Sequence, residues 1–90
     1  MNIIKVKSAK YLGGYLLEVT FNDGLKKKVN LTDALTGKIF QPLRDPAFFA
    51  KFRVDDESDT IVWPNGADMA PEYLYEHGEL NQNQIKIANQ

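Results

Sequence analysis

Apolar and polar residues alternate through the first third of the chain. Ile4, Val6 and Ser8 fall on one side of an extended segment and Lys5, Lys7 and Ala9 on the other, the period of two expected of a half-buried strand. Tyr15, Leu17, Val19 and Phe21 repeat the pattern, with Leu16, Glu18 and Thr20 opposite, and Leu25, Val29 and Leu31 continue it. Gly13-Gly14 predicts a two-residue hairpin turn. Asn22-Asp23-Gly24 predicts a three-residue loop that pairs Phe21 with Leu25 and puts Gly24 in the left-handed conformation, because a two-residue loop would turn Leu25, Val29 and Leu31 to the wrong face. The result is an antiparallel three-stranded meander. In that register Lys5, Lys7, Lys26 and Lys28 share the outer face, with Glu18 opposite Lys28. Lys27 falls on the inner face, which predicts an edge strand whose side chain escapes to solvent.

The period changes after Leu31. Thr32 is placed to cap a short helical turn through Leu35, closed by Gly37, and Phe40, Pro42 and Leu43 follow in an irregular apolar connection. Asp45-Pro46 starts a short helix that brings Phe48 and Phe49 to the core. Phe52–Asp55 and Thr60–Trp63, joined by an acidic connection, predict a second β-hairpin. Pro71 opens a short C-terminal helix to about Glu76, with Asp68 spaced to cap it and Glu72 complementing its dipole. The fold class is therefore α+β, with one domain over residues 1–79 and a polar tail over 80–90. Within the tail, Gln84–Ile87 could pair as an edge strand.

Composition narrows the chemistry. Ninety residues make one domain, and 43% hydrophobic content supplies a core. The chain has no cysteine and one histidine, which excludes disulfides and thiolate chemistry and leaves no zinc-ligand set. The N-terminus lacks the continuous apolar stretch of a signal peptide, and no apolar run approaches a membrane span; a cytoplasmic location is expected. Net charge is −1, but residues 1–30 carry +4 and residues 31–90 carry −5, so a basic face could meet an acidic partner.

Most of the candidate sites have a plainer role. Asp55, Asp56, Glu57 and Asp59 lack the bend glycine and the later bidentate carboxylate of a calcium loop, so a solvated turn is the better reading. His77, beside Gly78, fits a contact with the last helix carbonyls better than a general base, since no serine or threonine lies near it. The lysines could contact phosphate, yet both arginines, Arg44 and Arg53, lie outside the meander, and its outer face offers few stacking aromatics. No catalytic, cofactor-binding or metal-binding residues are assigned, and an enzyme is not expected. Trp63, Asn65, Asp68, Tyr73 and Tyr75 crowd one strand-to-helix corner, and tryptophan and tyrosine dominate many interfaces.

Phe21-Asn22-Asp23-Gly24, Phe40 with Leu43, Phe48-Phe49 before Val54-Asp55, and above all Trp63-Pro64-Asn65-Gly66-Ala67-Asp68 with Pro71 and Leu74-Tyr75 resemble a bacterial family catalogued as domain of unknown function 2442. The resemblance covers about residues 4–77. It implies a small α+β protein with no established activity, often encoded beside another short protein in an arrangement similar to toxin–antitoxin pairs. Some members of that family carry an added helix-turn-helix domain. This chain reaches Gln90 without room for one, so operator binding through such a domain is not expected. The expected function is a protein–protein interaction module, antitoxin-like, with a small partner encoded nearby. The alternative is a nucleic-acid-binding accessory protein using Lys5, Lys7, Lys26 and Lys28.

Overall fold

The structure, a computed structural model, describes residues 3–80; the tail considered for an edge strand at 84–87 lies outside the described residues. Two antiparallel sheets share one core. The first has the order β1-β2-β3-β6, with β1 Val6–Gly13, β2 Leu16–Phe21, β3 Lys26–Asn30 and β6 Glu79–Leu80; the second pairs β4 Arg53–Asp55 with β5 Thr60–Val62. Helices α1 Pro46–Phe49 and α2 Pro71–His77 and two 3-10 segments, Thr32–Ala34 and Lys38–Arg44, complete the α+β fold.

The meander keeps the predicted inner face on β2 and β3: Leu17, Val19, Phe21, Val29 and Leu31 are buried. The three-residue loop is as expected. Phe21 N–H donates to the Leu25 carbonyl (2.9 Å), Gly24 N–H donates to Phe21 (3.0 Å), and Gly24 has φ 87°.

β1 departs from simple alternation. Val6 pairs with Phe21 but Ser8 pairs with Thr20, so Lys7 is an extra residue, and Leu12 is a second one between Tyr11 and Gly13. Each bulge shifts the side-chain alternation by one. Ser8, expected inside, therefore turns outward, and Ala9, expected outside, packs with Tyr11 against the core. For the same reason Gly13 pairs with Leu16, and the turn falls on Gly14-Tyr15, one residue later than expected.

The edge assignment for β3 is also corrected. β6 covers that edge, with Lys27 opposite Leu80 and Lys28 opposite Glu79. The Lys27 side chain does not run to solvent. Its Nζ donates to the Tyr75 carbonyl at 2.7 Å and sits 3.7 Å from the Tyr75 ring centroid, because the end of α2 lies across this strand.

The second hairpin forms as predicted, with Val54 opposite Ile61. Its acidic connection is held by Asp55, whose carboxylate accepts from Ser58 N–H (3.0 Å) and Oγ (2.8 Å). Those two bonds, followed by Arg53, hold the Asp55 carboxyl below its ordinary value.

Helix starts divide into one confirmed and two corrected. Asp45 caps α1, accepting from Ala47 N–H at 3.1 Å, with Pro46 in the first turn. Thr32 caps nothing; the Asn30 carboxamide oxygen instead accepts from the Thr32 N–H (3.0 Å) and Oγ1 (2.6 Å). Asp68 does not cap α2 either. The cap position is Ala70, without a side-chain bond, because the Asp68 backbone is extended and bridges Val62.

Candidate functional site

The corner begins at Trp63. Its side chain is 3% exposed, donates from Nε1 to the Phe49 carbonyl at 2.8 Å, and packs against the Phe49 and Phe52 rings at 5.7 and 6.5 Å. It is a core residue that fixes the corner from beneath.

Pro64-Asn65-Gly66 then makes a loop like the one at Gly24. Trp63 N–H donates to the Ala67 carbonyl (2.8 Å), Gly66 N–H donates to Trp63 (2.9 Å), and Gly66 has φ 88°. A turn followed by a left-handed glycine joins two paired segments. The chain therefore doubles back along β5 before α2 starts: Ala67 and Met69 point into the core and Asp68 points out. Thr60 Oγ1, itself buried, donates to the Met69 carbonyl at 2.5 Å. The residues alone predict a strand-to-helix corner here, without the paired return along β5.

Asn65 ties the loop to the neighbouring 3-10 segment. Its Nδ2 donates to the Ile39 carbonyl (2.8 Å) while its Oδ1 accepts from Ala67 N–H (3.2 Å). The 3-10 segments and the end of the loop thereby form two walls of an open cleft. Asp33, Ala34 and Phe40 stand on one side, Asp68, Met69 and Tyr73 on the other. Of the five corner residues expected from sequence, Asp68 and Tyr73 meet here and Asn65 braces the cleft. Trp63 lies beneath, and Tyr75 faces the sheet. Asp33, Ala34 and Phe40 were not expected, because a 3-10 segment has no apolar period that shows which way it faces.

The Tyr73 ring stacks on His77 at 4.0 Å, and His77 Nδ1–H donates to the Tyr73 carbonyl at 2.9 Å, one turn back along α2 rather than at the last helix carbonyls expected of it. On the far side of His77 a second depression is lined by Leu16, Lys28, Asn30 and Glu79.

Tyr75 meets Phe21 edge-on at 4.9 Å and donates from its hydroxyl to Asp23 Oδ2 at 2.6 Å. Partial burial pushes the Asp23 carboxyl up, but the Tyr75 hydroxyl, the Leu25 and Asp23 N–H groups and the Lys27 charge outweigh it and hold it below its ordinary 3.8. The bond to Asp23, then burial, raises the Tyr75 phenol above its ordinary 10.0.

The four lysines do not make one uniform face. Lys5 approaches Asp59 at 3.8 Å, and Lys7 occupies the bulge. Lys28 lies in the cross-strand row Lys10, Glu18, Lys28, Glu79, which alternates in sign. Lys26 lies opposite Thr20 on the same face. Among the described residues, no cluster of three or more metal-ligating side chains converges, and no helix is long and apolar enough to cross a membrane.

In fold, the chain is similar to a crystal structure of a putative DNA binding protein from Nitrosomonas europaea ATCC 19718, with a TM-score of 0.74 at 21% identity. The match covers 96% of this chain and 56% of that one, so this chain spans little more than half the length of that protein. No curated protein matches the sequence. A family model does, across residues 6–79, a span that takes in the meander, the Trp63–Asp68 loop and α2. The chain belongs to the family described as protein of unknown function, DUF2442.

Proposed function

We propose that the protein is a cytoplasmic protein–protein interaction module, binding rather than catalysing, and the antitoxin-like member of a two-gene pair. The supporting observation is the cleft at the Asp68 corner. It is open, carries an aromatic wall at Tyr73, and is held on both sides by hydrogen bonds of the scaffold. Co-expression with the product of the adjacent gene, followed by pull-down, tests the reading. The two proteins should co-purify, and the neighbour should be toxic when expressed alone. Separate elution together with a harmless neighbour would refute it.

The second reading, a nucleic-acid accessory protein, draws on the similarity to a protein named as a putative DNA binding protein. It would use Lys5, Lys7, Lys26 and Lys28. The alternating Lys10-Glu18-Lys28-Glu79 row weakens it, since paired carboxylates repel phosphate. If it holds, binding to DNA or RNA falls steeply with salt. Charge reversal at Lys7 and Lys26 then weakens that binding and flattens the salt slope by about one per lost phosphate contact.

A further inference from the structure

We infer that the cleft between the Thr32–Ala34 turn and α2 takes a segment of the partner protein in which an apolar side chain is flanked by lysine or arginine. The inference rests on the interaction-module reading and specifies its site and the partner's chemistry. The floor is apolar: Ala34 and Phe40 line the opening with the buried Met69 behind them, and Ile39 beside Phe40 is 49% exposed. Methionine adapts to the shape of an incoming side chain.

The rim is negative. Asp33 and Asp68 are the charged side chains lining the cleft, and neither has a hydrogen bond or ion pair with the described residues. Four of the other five described aspartates are committed, Asp23 to Tyr75, Asp45 to Ala47, Asp55 to Ser58 and Arg53, and Asp59 to Lys5, while the fifth, Asp56, lies on the exposed hairpin connection outside the cleft. Two carboxylates over an apolar floor complement a cation on an apolar stem, and they repel phosphate and acidic peptide alike.

Tyr73 adds a ring face for such a cation, and its stacking on His77 fixes the ring beforehand. The Thr60–Met69 and Asn65–Ile39 bonds hold the walls in place before binding, so little ordering is left for the partner to induce.

Panning phage-displayed random dodecapeptides on the whole protein, then measuring the selected peptides by calorimetry, tests the site. Selected sequences should carry lysine or arginine beside a large apolar residue. Their affinity should fall about tenfold in the double variant Asp33→Asn, Asp68→Asn, as for loss of a charge pairing. The variant's melting curve should match that of the wild type. Selection of peptides without basic residues, or equal binding by the double variant, overturns the assignment, as does failure to select any peptide. A self-associated dimer in sedimentation that the double variant abolishes would give the cleft to a second copy and also overturn it. If the adjacent gene's product co-purifies equally with wild type and double variant, the cleft assignment falls while the module reading stands. If it fails to co-purify even with wild type, the module reading itself falls.

Discussion

Tyr75 joins three parts of the chain through one ring: the edge of Phe21, the ammonium of Lys27, and the carboxylate of Asp23. The two titrating groups act at opposite ends of the pH scale. Asp23 titrates lower in the folded chain than in the unfolded one, so its contribution is present above 3.8 and is lost as pH falls through the lower folded value. Tyr75 titrates higher when folded, so its contribution holds below 10.0 and is lost as pH rises through the raised value. Tyr75→Phe keeps the ring contacts and removes the hydroxyl. At neutral pH it should cost no more than about 1 kcal/mol, because the pair is open to solvent. It should also shift the Asp23 titration, followed by carboxyl NMR, back toward 3.8; an unmoved Asp23 would mean the hydrogen bond is not formed in solution. Gly78 is constrained for a different reason. Its φ of −85° suits any residue, but a Cβ there would lie 2.7 Å from Lys27 Cβ and 2.9 Å from the Leu74 carbonyl oxygen. Gly78→Ala must therefore push α2 off β3 and should destabilise by about 1–3 kcal/mol in chemical denaturation.

At the level of elements, two aspartates expected to cap helices behave differently, and each makes a prediction. Asp45 stands directly before Pro46 and caps α1, so Asp45→Ala should cost about 1 kcal/mol in a urea melt. Asp68 stands three residues before Pro71, but its backbone is taken by Val62, so Asp68→Ala should change stability by less than about 0.5 kcal/mol. A larger loss would restore the capping role. The contrast shows what could be read from residues alone. Leu17, Val19, Phe21 and Val29 were legible because alternation on β2 and β3 is unbroken and the Gly24 loop fixes their register. The bulges at Lys7 and Leu12 were not. An extra residue shows only against the partner strand, and Ser8 and Ala9 are small enough to suit either face. The turn at Pro64-Asn65-Gly66 was legible, but the return of the chain along β5 was not, because a proline without an N–H donor reads as the end of pairing; pairing in fact resumes at Ala67. Of the cleft, Asp68 and Tyr73 were visible as unusual residues near a helix. Asp33 and Phe40 come from two 3-10 segments too short to show an apolar period, and the Asn65–Ile39 bond ties the second of them to the Gly66 loop.

Over the whole molecule, the uneven charge of the chain sorts into two surfaces. The cleft carries Asp33 and Asp68 without a compensating cation in its lining. The outer sheet face instead interleaves its charges, with Glu18 opposite Lys10 on one side and Lys28 on the other, and Lys28 opposite Glu79. Opposite charges facing each other across strands stabilise a sheet, and like charges there destabilise it. If the row is architecture, Glu18→Lys sets one positive charge against two others and should lower stability by about 1 kcal/mol in low salt. Most of that loss should disappear near 1 M salt, where screening reaches roughly 3 Å. If the face is instead a phosphate-binding surface held in check by Glu18, the same variant should bind DNA or RNA more tightly than wild type, with a steeper salt dependence. Melting at low and high salt beside a nucleic-acid titration therefore separates the two. Salt-reversible destabilisation without gained binding assigns the lysines to the sheet and leaves the acidic cleft as the proposed partner surface.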